Sequence, residues 1–164
     1  MKKRKTTVDF WTKEEFTKVI STFYIDDLYQ HFGFICMWLL FMTVMRLGEA
    51  TALTWKDIDF ENKNLRVNKT LYYKRAKTYE FVEPKTASSI RTIELDDNTI
   101  TFLKAWKERQ VSIGGMSFVL SYNGTPTQKY TIRHIMRRHA TIVGVHIIRI
   151  HGLRHSHASL LISQ

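Results

Sequence analysis

The run from Phe32 to Met45 is almost wholly apolar, and it limits what the chain can fold into more than any other feature. A segment apolar on every side needs either lipid or protein all around it. The run is shorter than the roughly 18 residues a membrane helix requires, so it is expected to form a buried central helix with the rest of the chain wrapped around it. Cys36 sits inside the run and is the single cysteine, so no internal disulfide can form and a buried thiol is the ordinary reading. The cytoplasm is the expected compartment, and no membrane association is expected.

The flanking segments supply the wrapping. Thr12 and Glu15 have capping-box spacing, and Phe16, Val19, Ile20 and Phe23 follow at helical spacing, which predicts an amphipathic helix from Thr12 until Asp26 and Asp27 interrupt it. Gly48 and Glu49 open a third, short helix through Leu53, leaving Arg46 at a junction between two helices. From Trp55 the pattern becomes strand-like. Ile58 and Phe60 precede a turn at Glu61-Asn62-Lys63-Asn64, and Leu65 and Val67 alternate with polar residues. Thr78 to Glu83 and Ile90 to Leu95 are two further strands, joined by a turn at Pro84-Lys85-Thr86-Ala87-Ser88-Ser89 that would put Lys85 at a hairpin tip. Helices are expected again at Asp96 to Gln110, at Thr127 to Val143, and from His151 onward. The fold class is therefore α+β and mainly helical, with one small antiparallel sheet.

Lysine and arginine number 25 against 15 acids, a net charge of +10, so an extended polyanion is the first partner to consider and nucleic acid leads. The basic Lys2-Lys3-Arg4-Lys5 lacks the apolar core that a signal peptide would carry after it, and residues 1–10 read as a linker.

Three separated segments each offer a phosphate ligand: Met45-Arg46-Leu47-Gly48-Glu49-Ala50, Pro84-Lys85-Thr86, and His151-Gly152-Leu153-Arg154-His155. Leu53, Trp55 and Asp57-Ile58-Asp59 follow the first, Ser89-Ile90-Arg91-Thr92-Ile93 follows the second, and Ser156-His157-Ala158-Ser159 extends the third. In order and context these segments resemble the tyrosine recombinase family, in particular phage and conjugative-element integrases, from Thr12 to the end of the chain. The resemblance implies the catalytic fold shared by tyrosine recombinases and type IB topoisomerases. It also implies site-specific recombination of double-stranded DNA, integrating or excising a mobile element. Arg46, Lys85, His151 and Arg154 map onto catalytic positions, and residues 11–164 onto the catalytic domain. A DNA-clamping domain would precede the linker. The implied partners are duplex DNA, further copies of the chain in a tetramer on two DNA sites, and DNA-bending accessory proteins.

The chemistry asks for these residue types. Attack on a phosphodiester gathers negative charge on two nonbridging oxygens, and a planar guanidinium binds them through paired hydrogen bonds as an ammonium cannot. Arg46 and Arg154 suit that clamp. Lys85 would protonate the departing deoxyribose oxygen, and His151 would orient the nucleophile or take its proton. In the family the nucleophile is a tyrosine that forms a 3′-phosphotyrosyl link, which keeps the bond energy, so neither cofactor nor metal is required. The tyrosines here are Tyr24, Tyr29, Tyr72, Tyr73, Tyr79, Tyr122 and Tyr130, all before Arg154, whereas the family's tyrosine follows that arginine. The expectation is a catalytic domain lacking its C-terminal part, with no nucleophile in this chain, able to bind DNA but not to link to it.

Plainer readings stand beside these. Arg46 could pair with Glu49 on a helix surface. Lys85 has Lys69, Lys74 and Lys77 nearby as solvated alternatives. His151 and His155 are spaced to hold zinc, but no protease glutamate or cysteine accompanies them, so no metal is expected, and His155 and His157 read as packed or hydrogen-bonded supports. Arg133, Arg137 and Arg138 could be a solvated helix face or DNA contacts, and Arg91 is a further candidate contact. Trp11, Trp38, Trp55 and Trp106 read as packing residues. The alternative function is a non-catalytic DNA-binding module, and a remoter one is an RNA phosphodiesterase using His151 and Lys85.

Overall fold

The computed structural model describes residues 9–75, 78–84 and 86–162, with side chains described to residue 157. The basic Lys2-Lys3-Arg4-Lys5 and Lys85 lie outside the described residues. Helix α1 (Lys13–Ile20) starts where expected, because Thr12 Oγ1 accepts from Glu15 N–H at 3.1 Å while Glu15 Oε1 accepts from Thr12 N–H at 3.0 Å. Helix α2 (Leu28–Thr43) begins earlier than its apolar run. Asp27 is its N-cap, Oδ2 accepting from Gln30 N–H at 3.0 Å, so the acid that ends the first segment starts the next. Buried residues cover α2 from His31 to Thr43, and α2 packs against all five other described helices. It is the axis of the domain, as its all-round apolar character requires. Truncating one of its fully buried side chains, such as Leu39, to alanine costs about 2–5 kcal/mol.

The helices around it are α3 (Leu47–Ala52), α4 (Asp97–Ser112), α5 (Lys129–Val143) and α6 (Gly152–Ile162). All four tryptophans named above pack and donate: Trp11 to His146 O, Trp38 to Thr99 Oγ1, Trp55 to Gln110 Oε1 and Trp106 to Val119 O. Buried Gln110 also donates to the carbonyls of Phe118, Val119 and Ser121, fastening α4 to the segment that pairs with residues 53–55. No helix of the described residues is long and apolar enough to cross a membrane.

The strands depart from expectation. Strands β1 (Ile58–Asp59), β2 (Asn64–Val67) and β5 (Arg91–Glu94) form one antiparallel sheet in the order β1-β2-β5, with Leu65 opposite both Ile58 and Ile93. Strands β3 (Thr70–Arg75) and β4 (Thr78–Val82) form a separate hairpin, pairing Tyr73 with Tyr79. Among the described residues there are thus two small sheets, and the expected hairpin between Thr78 to Glu83 and Ile90 to Leu95 does not form. Buried Leu65 and Val67 hold β2 against the core and give β5 a partner there, whereas every residue of β4 is exposed and β4 follows its sequence neighbour β3. The chain therefore passes from one sheet to the other between β4 and β5, and a single 3-10 turn at Ala87–Ser89 leads into β5.

Candidate active site

Arg46 is placed by the abrupt end of α2. Val44 adopts the left-handed conformation (φ 56°, ψ 24°), which a β-branched residue takes only at a cost of about 1–2 kcal/mol, and this turns the chain so that Arg46 caps α3. Behind it lies Glu49, 6% exposed. Its Oε1 accepts from the Arg46 backbone N–H at 2.9 Å, and its two oxygens accept from Arg91 Nη1 and Nη2 at 3.0 Å each. Burial pushes the Glu49 carboxyl up, but the Arg91 hydrogen bonds, the Arg46 N–H and the charges of both arginines outweigh it and hold the group below its ordinary value. Glu49 thus binds the backbone of Arg46 while Arg91 takes its charge. Among the described residues no carboxylate lies within ion-pair distance of the Arg46 or Arg154 guanidinium.

Arg154 is on the first turn of α6. Leu153 and Ser156 turn inward, leaving Arg154 and His155 exposed. His151 precedes the helix with its ring half exposed, and its Nε2 is 3.3 Å from Asp9 Oδ2. These groups converge. Arg46, His151 and Arg154 line one cleft of about 900 Å³, together with Lys129, Arg133, Arg137 and Arg149. Lys129, Arg133 and Arg137 recur every four residues, one stripe of α5, while Ile132, Ile135, Met136 and His139 turn to the core. Among the described residues, Asp9 is the one acid lining this cleft. A smaller groove shares Arg46 and Arg154 and is lined also by Ser88, Ser89 and Arg91, so the segment following Lys85 borders the two arginines.

Not every candidate joins them. Arg138 lines a different groove, with Asp27, Tyr29 and His134. Arg91 is held by Glu49 and donates to Ser89 O at 3.1 Å, so its guanidinium is engaged within the protein. His157 packs edge-on against Phe41, and burial holds its imidazole below the ordinary value. No group of three or more potential metal ligands occurs among the described residues. None of the tyrosines lines the cleft that holds both arginines.

Sequence reasoning missed Lys129, Arg149 and Asp9. The four-residue spacing of Lys129, Arg133 and Arg137 was a usable signal. Asp9 and Arg149 meet from 140 residues apart, and nothing local announces that contact.

This arrangement is a cationic cleft with two planar guanidinium groups in its lining, chemistry suited to binding an anion. A family model described as the phage integrase family matches residues 12–164. The ICEBs1 integrase of Bacillus subtilis (strain 168) is 31% identical over 164 residues, covering 94% of this chain and 43% of that protein. The integrase of Staphylococcus phage L54a is 29% identical over 134 residues, covering 73% of this chain and 37% of its own. The chain thus spans less than half the length of these curated relatives. Among solved structures, the Tn1549 transposon integrase in complex with transposon right end DNA superposes with a TM-score of 0.78 at 21% identity, over 99% of this chain and 56% of that one. The XerA recombinase does so with a TM-score of 0.72 at 15% identity, over 98% and 51%. By the matched family model, and with a fold shared with recombinases of known structure, the chain belongs to the phage integrase family of tyrosine recombinases.

Proposed function

We propose that the protein catalyses site-specific recombination of duplex DNA, integrating or excising a mobile element, and that this chain supplies the pocket for the scissile phosphate. The observation that carries the reading is the convergence of Arg46, His151 and Arg154 on one cleft, from segments about a hundred residues apart in the chain. Arg46 and Arg154 clamp the two nonbridging oxygens as charge develops on them. A tyrosine oxygen attacks phosphorus, the bond to the 5′ oxygen breaks, and the chain is left as a 3′-phosphotyrosine. Lys85 gives its proton to the departing 5′ oxygen, and His151 takes or orients the proton of the tyrosine. Attack by a new 5′-hydroxyl reverses each step and releases the tyrosine. None of Tyr24, Tyr29, Tyr72, Tyr73, Tyr79, Tyr122 and Tyr130 is assigned as the nucleophile, in keeping with their absence from the cleft lining. Arg133 and Arg137, with Lys129, contact flanking phosphates. Arg91 serves by holding Glu49 behind Arg46.

The solved structures of similar recombinases with DNA support duplex DNA as the partner: the Tn1549 integrase is in complex with transposon right end DNA, and a lambda integrase dimer is bound to a core site. The working assembly is a tetramer on two sites, with DNA-bending proteins as accessories, acting in the cytoplasm. The test is covalent capture. The full-length protein, incubated with a nicked recognition site, becomes linked to DNA, and Arg154→Ala abolishes the link. No adduct from the wild type, or an undiminished adduct from Arg154→Ala, overturns the reading.

A further inference from the structure

The acid in the cationic cleft comes from the chain's entry into the domain. Asp9 Oδ1 accepts from Arg149 N–H at 3.0 Å, and Oδ2 accepts from Arg149 Nε at 3.1 Å and Nη2 at 2.8 Å. The same Oδ2 is 3.3 Å from His151 Nε2. Its neighbours are stitched to the same loop. Trp11, fully buried, donates its backbone N–H to Ser156 Oγ at 2.7 Å and its indole N–H to His146 O at 2.9 Å, while His146 Nε2 lies 2.8 Å from Phe10 O. Gly152 completes the fit, since a Cβ there would stand 2.5 Å from Asp9 O. The loop that delivers His151 to α6 is therefore held by residues 9–11.

We propose that Asp9 is a positioning residue for His151: its carboxylate keeps the proton on Nε2 and fixes the ring's place beside Arg46 and Arg154. This rests on the role given above to His151. An acid in a phosphate cleft could instead be a plug that DNA must displace, but the contacts point away from that. Asp9 binds Arg149 and His151, and leaves the Arg46 and Arg154 guanidinium groups free of carboxylate contacts among the described residues. Burial pushes the Asp9 carboxyl up, and the Arg149 N–H, the Arg149 guanidinium and the charge of His151 more than reverse this, so it stays ionised. An ionised oxygen facing Nε2 favours the tautomer with its proton there and leaves Nδ1 as the basic nitrogen.

Two measurements test this. In the present chain without DNA, ring ¹⁵N shifts should report the Nε2–H tautomer of neutral His151, and Asp9→Ala should move them toward a tautomer mixture. Asp9→Asn, nearly the same shape, should move them part of the way. In the full-length protein, Asp9→Ala should slow covalent adduct formation by about 10–100-fold, the usual effect of removing the partner that orients a working histidine. DNA affinity should stay the same or rise, and Asp9→Asn should recover part of the rate. Unchanged His151 shifts in both variants overturn the proposal. So do faster adduct formation, which marks a plug, and a rate that falls only in step with DNA affinity and melting temperature, which marks a purely structural contact. If the wild type makes no adduct, the recombinase reading fails while the ring shifts still decide the Asp9 contact.

Discussion

Replacing Glu49 with alanine probes the arginine site from its buried side. The carboxylate takes three hydrogen bonds, one from the Arg46 backbone and two from Arg91. Loss of a helix cap is worth about 1 kcal/mol. Removing one partner of a fully buried ion pair costs about 3–5 kcal/mol, because the other charge is stranded. The Arg91 side chain is 34% exposed, so water solvates it once the acid is gone and the pair's share falls to about 1–2 kcal/mol. The total is about 2–3 kcal/mol. At 2–4 °C per kcal/mol for a chain of this size, the melting midpoint drops by about 4–12 °C. The pH dependence follows from the depressed Glu49 value. The unfolded chain takes up this proton first on acidification, so the stabilisation is complete above the ordinary glutamate value near 4.5 and is lost as pH falls through the folded value. Urea denaturation of wild type and Glu49→Gln should show a gap at about pH 7 that narrows as pH falls below the ordinary glutamate value near 4.5. A cost for Glu49→Ala under about 0.5 kcal/mol, or a gap independent of pH, would refute the reasoning.

Three further outcomes are expected. Gly48→Ala should destabilise by about 1–3 kcal/mol in thermal melts, despite alanine's helical preference, because its Cβ would lie 2.6 Å from Thr70 Cγ2, and Thr70→Ser should recover much of the loss. His139 stacks on Phe23 and bonds Thr22 Oγ1, and burial first, then the Arg138 charge, holds its imidazole down to about 4. That stabilisation is full above the ordinary value of 6.5 and lost as pH falls through about 4, so the wild type should lose about 3 kcal/mol across that window, a slope absent from His139→Phe. Duplex DNA binding should weaken with salt, and Arg133→Ala and Arg137→Ala should each reduce the slope of log affinity against log salt by about 0.9, with Arg138→Ala leaving it unchanged.

The helices were legible because their signals are local. Thr12 with Glu15, and the unbroken apolar run of α2, determine capping and burial within a few residues. Arg46 and the box around Arg154 were legible as motifs. The strands were misread because pairing is not local: β4 and β5 are both strands, but their partners depend on Leu65 and Val67 being buried, which no window around Thr78 to Leu95 contains. The pairing of Arg91 with Glu49 was illegible for the same kind of reason, since the two lie 42 residues apart. The Asp9 contact with Arg149 was invisible, being set by how the chain's entry docks against the loop before α6.

The cleft also shows where folding and function diverge. Arg46, Lys129, Arg133, Arg137, Arg149 and Arg154 share one concavity with a single acid, and that acid is already spent on Arg149 and His151. Like charges gathered this way oppose the compact state, and nothing in the packing requires them: the buried face of α5 would be served as well by a neutral stripe on the other side. A left-handed valine just before Arg46 adds backbone strain at the same place. Elsewhere local preference and packing agree, at the caps of α1 and α2 and along the whole of α2. A conflict concentrated in one cleft is what an anion supplied from outside would resolve, since its binding to the folded state alone offsets the repulsion.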